Sequence, residues 1–393
     1  MPYPQFLRTL LLLLVLVPAA RAAGPGTSAA TFLTLGFGAR PMAMGEAFVA
    51  LADDVSAVHY NPAGLAFPSA GSGAAGSKPY EMLFSHALHI QDIRMSQAGF
   101  LRRPYGVSVT HLTLDGIERR TTETAAPEGS FGASDLAVGF SFGHRFGPTG
   151  VGATVKVIRE TIGEHSASAY AADLGALHRL ENWPVTFGVG MSNLGTSVRF
   201  IERSDPLPLT WRLGAAFGMT KSFPHALCFQ LDLPRDNDPA VRVGLEYLGF
   251  GPFALRAGYR SASGAQRSAV LGRALGSSAS GMAEFYGMFM GAGFRSKLWN
   301  MDYAILPYGE LGSAHRFSLS VKFGGQGAAV PGGRRSSDPA GGNGLGAKTD
   351  VPASPSLPAF TPAPALRQED TGGAWGRTLP LPPASPTPSG VAP

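Results

Sequence analysis

The stretch HRFSLSVKF, residues 315–323, places Phe317, Leu319, Val321 and Phe323 on one side of an extended chain and Arg316, Ser318, Ser320 and Lys322 on the other. The same division recurs upstream. In PFALRAGYR (252–260), Phe253, Leu255, Ala257 and Tyr259 oppose Ala254, Arg256, Gly258 and Arg260. In AVRVGLEY (240–247), Val241, Val243, Leu245 and Tyr247 oppose Arg242, Gly244 and Glu246. LTWRLGAAFGM, VTFGVGM and LCFQLDL repeat it. Period-two alternation is the mark of half-buried strands. It leaves open where the apolar face points: inward between two sheets of a sandwich, or outward to lipid around a barrel.

The opposite faces decide between them. Gly, Ala, Ser and Thr interrupted by single charges are costly in a dry interior and cheap in a wet lumen. Aromatic residues gather near strand ends, at Tyr105, Phe146, Trp183, Trp211, Phe250, Tyr259, Trp299 and Tyr308, as interfacial girdles require. Strand starts fall near 80, 93, 105, 134, 149, 168, 184, 208, 225, 240, 252, 281, 297 and 314, which makes about fourteen strands. The fold class is therefore all-β, a transmembrane antiparallel β-barrel of about fourteen strands. The apolar phase is mixed at Ile93–Leu101 and Gly281–Phe294, and Leu112 and Leu114 break the phase of Tyr105, Val107 and Val109, which predicts a bulge there.

The ends agree with an exported barrel. Arg8, the apolar run Leu10–Val17, Pro18 and Ala20-Arg21-Ala22 read as a secretory signal peptide over 1–22, too short for a membrane-spanning helix. With no second long apolar run, only a closed barrel satisfies backbone polar groups in lipid. Charged residues make up 15% of the chain against 52 Gly, below the quarter or so usual in soluble domains. The single Cys228 excludes an internal disulfide. The net charge of +5 is scattered and shows no nucleic-acid footprint. Residues 324–393 are rich in Pro, Gly, Ser and Ala and are expected to be disordered.

Between signal and barrel, residues 23–79 hold one helical stretch, GEAFVALADDVSAVHYNPAGLAF (45–67). Met42, Met44, Phe48, Val49 and Leu51 follow a helical pattern, and Asp53 or Asp54 is placed to cap a second short helix through His59. Asn61-Pro62-Ala63-Gly64 then turns the chain. Short helices of this kind are marginal alone in water, so the segment is expected to pack in the lumen as a hatch, the alternative being a helical cap on the periplasmic side.

The sequence LGFGARPMAMGEAFVALADDVSAVHYNPAGLAF resembles the N-terminal signature of the PorV/PorQ family of bacterial outer-membrane proteins, related to FadL-type hydrophobic-compound transporters. WNMDYAILPYGELGSAHRFSLSVKFG resembles that family's last two strands. The resemblance, spanning about residues 30–324, implies a fourteen-stranded barrel with an N-terminal hatch and matches Asn61, Pro62 and Ala63 to the NPA of FadL-type hatches. Pro41, Glu46 and the proline-rich tail depart from the common form.

Signals for catalysis are absent from the pattern. The histidines are dispersed, and Glu160, Glu164 and His165 read as a solvated loop. No catalytic set, metal site or cofactor is expected. Arg212, Arg242, Glu246, Arg256, Arg260 and Asp302 are expected to line the lumen as a charge ladder, pairing with one another or with the hatch. The terminal strand, through Phe317, Leu319, Val321 and Phe323, resembles the signal read by the barrel-assembly machinery. The expected setting is the outer membrane of a didermic bacterium, in contact with its lipids. The resemblance implies a PorV-like accessory or shuttle in type IX-like protein secretion, with secreted proteins or secretion components as partners. The alternatives are a FadL-like channel for hydrophobic small molecules and a purely structural barrel.

Overall fold

A computed structural model describes residues 24, 26–68, 79–88, 93–120, 126–200, 202–218, 225–262, 286–308 and 312–324. The signal peptide, the proline-rich tail and His89 lie outside the described residues. Fourteen strands close into one antiparallel barrel. In chain order they are β1 (Tyr80–Leu88), β2 (Arg94–Arg102), β3 (Tyr105–Arg119), β4 (Gly129–Phe146), β5 (Thr149–Ile162), β6 (His165–Arg179) and β7 (Val185–Gly195). A separate hairpin follows, β8 (Val198–Phe200) with β9 (Arg203–Asp205). The wall resumes with β10 (Thr210–Gly218), β11 (Ala226–Pro234), β12 (Ala240–Phe250), β13 (Phe253–Arg260), β14 (Met288–Arg295), β15 (Trp299–Pro307) and β16 (Ser313–Phe323). β1 pairs with β16 from Tyr80↔Phe323 to Leu88↔His315, so the sheet has no free edge at its seam.

The apolar faces point outward. Phe317, Leu319 and Phe323 are exposed on the outer wall while Arg316 and Ser318 are buried inside, and Val241, Leu245, Phe253 and Leu255 face out while Arg242, Glu246 and Arg256 face in. That inside-out arrangement excludes a sandwich, whose apolar faces would be covered. Among the described residues no helix is long and apolar enough to cross a membrane.

Connections at one rim are mostly short and run over 103–104, 147–148, 180–184, 219–225, 251–252 and 296–298; the other rim has the longest, at 120–128, 196–209 and 261–287, beside a two-residue turn at 163–164. Rings stack across strands at the short-turn rim, Tyr80 on Phe323 at 5.4 Å, Tyr105 by Phe142 at 5.3 Å and Phe294 by Trp299 at 5.2 Å. Tyr105, Phe146, Trp183, Phe250 and Trp299 lie at this rim, and Trp211, Tyr259 and Tyr308 lie toward the other.

Two local expectations need correction. The register shift in β3 falls between Leu114 and Ile117, with Gly116 at φ +75°, and not at the first break of phase. Leu112 faces inward and packs against a buried cluster containing Phe32 and Leu33, so an apolar lumen contact, not a bulge, upsets the alternation there. The mixed phase of β2 has the same cause, since Met95 and Leu101 are buried on the lumen side. Strand β14 begins at Met288 and β4 at Gly129, against expected starts of 281 and 134.

Candidate functional site: the plugged lumen

The segment from residue 26 to 68 threads the lumen. At the long-loop end the Ala29 amide donates to the Pro206 carbonyl at 3.0 Å and the Ala30 amide to Glu160 Oε1 at 2.9 Å. Glu160 is thus a buried lumen residue of β5, correcting its assignment to a solvated loop. Val198, the first residue of β8, and Leu207, just past β9, pack on Ala30, Phe32 and Leu33 and cover them. At the other end Phe67 lies beside Arg145 and Arg179, the latter closing β6 at the short-turn rim.

Regular structure in the plug is sparse: a 3-10 turn at Thr31–Thr34, α1 (Ala39–Ala43), α2 (Ala57–Tyr60) and a 3-10 turn at Pro62–Ala66. The helix expected through Leu51 stops at Ala43. Gly45 (φ +62°) and Glu46 (φ +61°) take left-handed conformations that end it, and a Cβ on Gly45 would stand 2.9 Å from the Tyr259 amide nitrogen of the wall. Asp54 Oδ1 accepts from the Ser56 amide at 2.8 Å and so orders the turn ahead of α2. Asn61 caps the following 3-10 turn through the Ala63 amide at 3.1 Å, with Pro62 in its first turn.

Met42, Met44, Phe48, Asp53, Asn61, Pro62, Ala63 and Gly64 are all buried within the barrel, and Asp54 is nearly so. Phe48 meets Tyr60 edge-on at 5.4 Å and His59 stacks on Phe37 at 5.8 Å, giving the plug an apolar centre. Burial, reinforced by Arg212, Lys156 and Arg316, holds His59 far below its usual range and therefore neutral.

Irregular backbone at membrane depth needs partners, and the wall supplies them. Gln230 Oε1 accepts from the amides of Phe48 (3.0 Å) and Val49 (2.9 Å), Gln97 Oε1 from Gly38 (3.2 Å), and Ser318 Oγ from Ala39 (2.6 Å). Asn61 Nδ2 donates to Val49 O at 2.8 Å inside the plug and to Ala176 O at 3.2 Å on β6.

Charge supplies the second kind of attachment. Arg40 of α1 bonds Asp53 at 2.6 Å, Asp54 at 2.7 Å and Glu246 of β12 at 2.7 Å. Glu246 also takes Arg256 Nε at 2.8 Å, and Arg256 Nη1 reaches Asp302 at 2.8 Å. Burial disfavours the Arg40 charge, but Asp53, Glu246 and Asp54 outweigh it and hold the guanidinium well above its usual range. A second group joins plug to wall through Arg242, which pairs with Glu46 and with Asp232 at 2.6 Å. Of the expected ladder, Arg242, Glu246, Arg256 and Asp302 enter these groups, Arg212 bonds the Ser192 hydroxyl at 2.7 Å, and Arg260 makes no ion pair among the described residues. Arg40, Glu46, Gln97 and Gln230 complete the attachment. Their only sequence signals were the inward parity of Gln230 and the unusual Glu46.

Lumen-facing glycines provide a third attachment. A Cβ on Gly175 would stand 2.0 Å from Asn61 Oδ1, on Gly188 2.4 Å from Val49 O, and on Gly258 2.0 Å from the Gly45 amide nitrogen. Only glycine admits this approach of plug to wall. Gly188→Leu is expected to leave the outer face intact and lift the plug at Val49, at about 1–3 kcal/mol of strain. The check is the denaturant midpoint of the purified barrel together with its ion conductance in planar bilayers, the first falling and the second rising.

Below the plug, toward the short-turn rim, opens a cavity of about 1100 Å³ lined by Leu51, Asp53, Asp54, Arg179, Trp183 and Trp299 among others. Among the described residues no group of three His, Cys, Asp or Glu side chains is placed to hold a metal ion.

Comparison with known proteins follows this geometry. A family model described as Uncharacterised protein family (UPF0164) matches residues 19–178, the signal region, plug and first six strands. No curated protein matches the chain. A TodX monoaromatic hydrocarbon channel carrying the deltaS2S3 mutation superposes with TM-score 0.50 at 13% identity, over 73% of this chain and 98% of that one. The toluene transporter TbuX of Ralstonia pickettii gives TM-score 0.46 at 12% identity, over 73% and 97%. The chain thus has the barrel fold of the TodX channel and is similar, across its N-terminal part, to a family whose role is uncharacterised.

Proposed function

We propose that the protein is an outer-membrane channel of the FadL type, admitting small uncharged hydrophobic molecules past a movable plug. The short-turn rim then faces the periplasm and the long loops face outward, the arrangement usual in bacterial barrels. The observation that carries the reading is the plug itself: a largely buried segment held to the wall by hydrogen bonds, ion pairs and close packing, with no disulfide among the described residues. The cavity of about 1100 Å³ next to it is of the size that small-ligand pockets reach. TodX, a monoaromatic hydrocarbon channel, shares the fold. The secretion role implied by the PorV/PorQ resemblance draws no support from these neighbours.

Toluene uptake tests the reading. Cells whose outer membrane carries the protein should take up radiolabelled toluene several-fold faster than cells without it, and a Gly188→Leu protein should change that rate. Equal rates with and without the protein, with exported proteins recovered on pull-down from detergent extracts, would restore the secretion reading.

A further inference from the structure

A group of arginines lies at the short-turn rim, next to Asp53 of the plug's ion pairs. Arg103 occupies the β2–β3 turn, Arg145 lies near the end of β4 and Arg179 ends β6. By strand alternation with buried Ser141 and Leu177, Arg145 and Arg179 belong to the lumen face and not to the lipid face. Both guanidiniums rest on one buried ring, Phe67, with Cζ at 5.4 Å and 4.1 Å from its centroid. Phe67 ends the plug's last helical turn, so the pair marks the point at which the plug leaves the wall.

The three arginines differ in what they already hold. Arg103 is committed: Nη1 donates to Gly64 O at 2.6 Å, Nη2 to Asp53 O at 2.9 Å, and Nε faces Glu81 across 3.6 Å. Arg145 Nε donates to the Gly147 carbonyl at 2.7 Å, but no carboxylate pairs with it among the described residues. The Arg179 guanidinium makes no hydrogen bond or ion pair among the described residues. Arg40, Arg242 and Arg256, the charged ties of the plug, each meet a carboxylate. Positive charges brought together over one ring repel, and a cation–π contact is worth about 0.5–2 kcal/mol, a weak return compared with a charge-assisted pair. Among the described residues both guanidiniums keep donors without a partner, and Arg179 lines the large cavity with Leu51 and Trp183 and also with Asp53, Asp54 and Glu181.

We propose that Arg145 and Arg179 form an anion-binding site at the short-turn mouth of the lumen, taking a carboxylate or a phosphate ester that enters through the cavity. The guanidinium fork suits either group, and Phe67 restricts the rotamers that would otherwise be lost on binding. An anion held there touches the plug's final ring and both flanking strands, so occupancy would be felt by the plug. The site does not depend on the hydrocarbon reading, because an uncharged solute needs no such partner.

The test uses the full chain in a neutral maltoside detergent, with inorganic phosphate, dodecyl phosphate and dodecanol as probes. Binding is followed by tryptophan fluorescence and by calorimetry, and retained heat-modifiable migration on gels confirms that each variant is folded. Dodecyl phosphate is expected to bind saturably, and the double variant Arg145→Gln/Arg179→Gln to weaken it by about tenfold or more, with Arg179→Lys losing less. Competition by inorganic phosphate assigns the site to a free anion, and its failure assigns it to the headgroup of an amphiphile whose body lies in the cavity; either result supports the site. Equal binding of dodecanol and dodecyl phosphate, or unchanged affinity in the folded double variant, overturns it.

Discussion

Glu246→Ala is expected to lower the stability of the folded, plugged barrel by about 3–5 kcal/mol, the usual cost of removing one member of a buried ion pair. Glu246 is fully buried and serves two guanidiniums, Arg40 Nε at 2.9 Å and Nη2 at 2.7 Å, and Arg256 Nε at 2.8 Å. Truncation takes a carboxylate from both guanidiniums at the edge of the large cavity, although Arg40 retains Asp53 and Asp54 and Arg256 retains Asp302. Urea unfolding followed by tryptophan fluorescence measures the loss. Adding Arg40→Ala leaves Asp53 and Asp54 without their guanidinium, so the double variant should fall further than Glu246→Ala alone, and the double-mutant cycle should show a coupling that two independent losses would lack. Glu246→Gln, which keeps the acceptor oxygen, should cost less than Glu246→Ala. A loss below about 1 kcal/mol would mean that the network behaves like an exposed ion pair and does not hold the plug.

The barrel could be read from the chain because each wall strand carries its own evidence. Leu245 beside Glu246 and Phe317 beside Arg316 declare their faces within two residues, and strand pairing of neighbours follows from short connections. The start of β4 was misplaced where GSFGASD, apart from Phe131, has only small or polar residues and alternation vanishes. The plug was legible as a segment but not as a conformation. Its apolar residues follow a helical period from Met42 to Leu51, yet the backbone turns left-handed at Gly45 and Glu46 to bring Glu46 to Arg242. That choice is made by a contact between residues 196 apart in sequence, which local periodicity cannot register. The ties at Gln97, Gln230 and Arg40 were hidden for the same reason: one polar residue on a lumen face states that it is inside, never what it holds. Glycine was visible as composition, and its purpose appeared only when Gly175, Gly188 and Gly258 were found against plug backbone.

Deleting residues 30–66 should raise single-channel conductance in planar bilayers by about tenfold or more, since fourteen strands enclose more room than side chains alone fill. The wall has grounds to survive the deletion. Its hydrogen bonds close strand to strand around the full circle, and its lipid face draws nothing from the plug. The groups newly exposed to the lumen, among them Arg242, Glu246, Arg256 and Asp302, are charged and at ease in water. Retained heat-modifiable migration would show that the barrel still forms. The sharpest alternative source of closure is the β8–β9 hairpin, whose Val198, with the neighbouring Leu207, now rests on Ala30, Phe32 and Leu33. Without those three residues beneath it the hairpin loses its apolar support, so deletion of 30–66 removes plug and lid together. A variant lacking only 40–66 keeps the lid's support and should conduct less than the longer deletion, yet more than the intact protein. If both deletions conduct like the intact chain, the segment does not close the lumen, and hatch movement cannot be the way a solute passes.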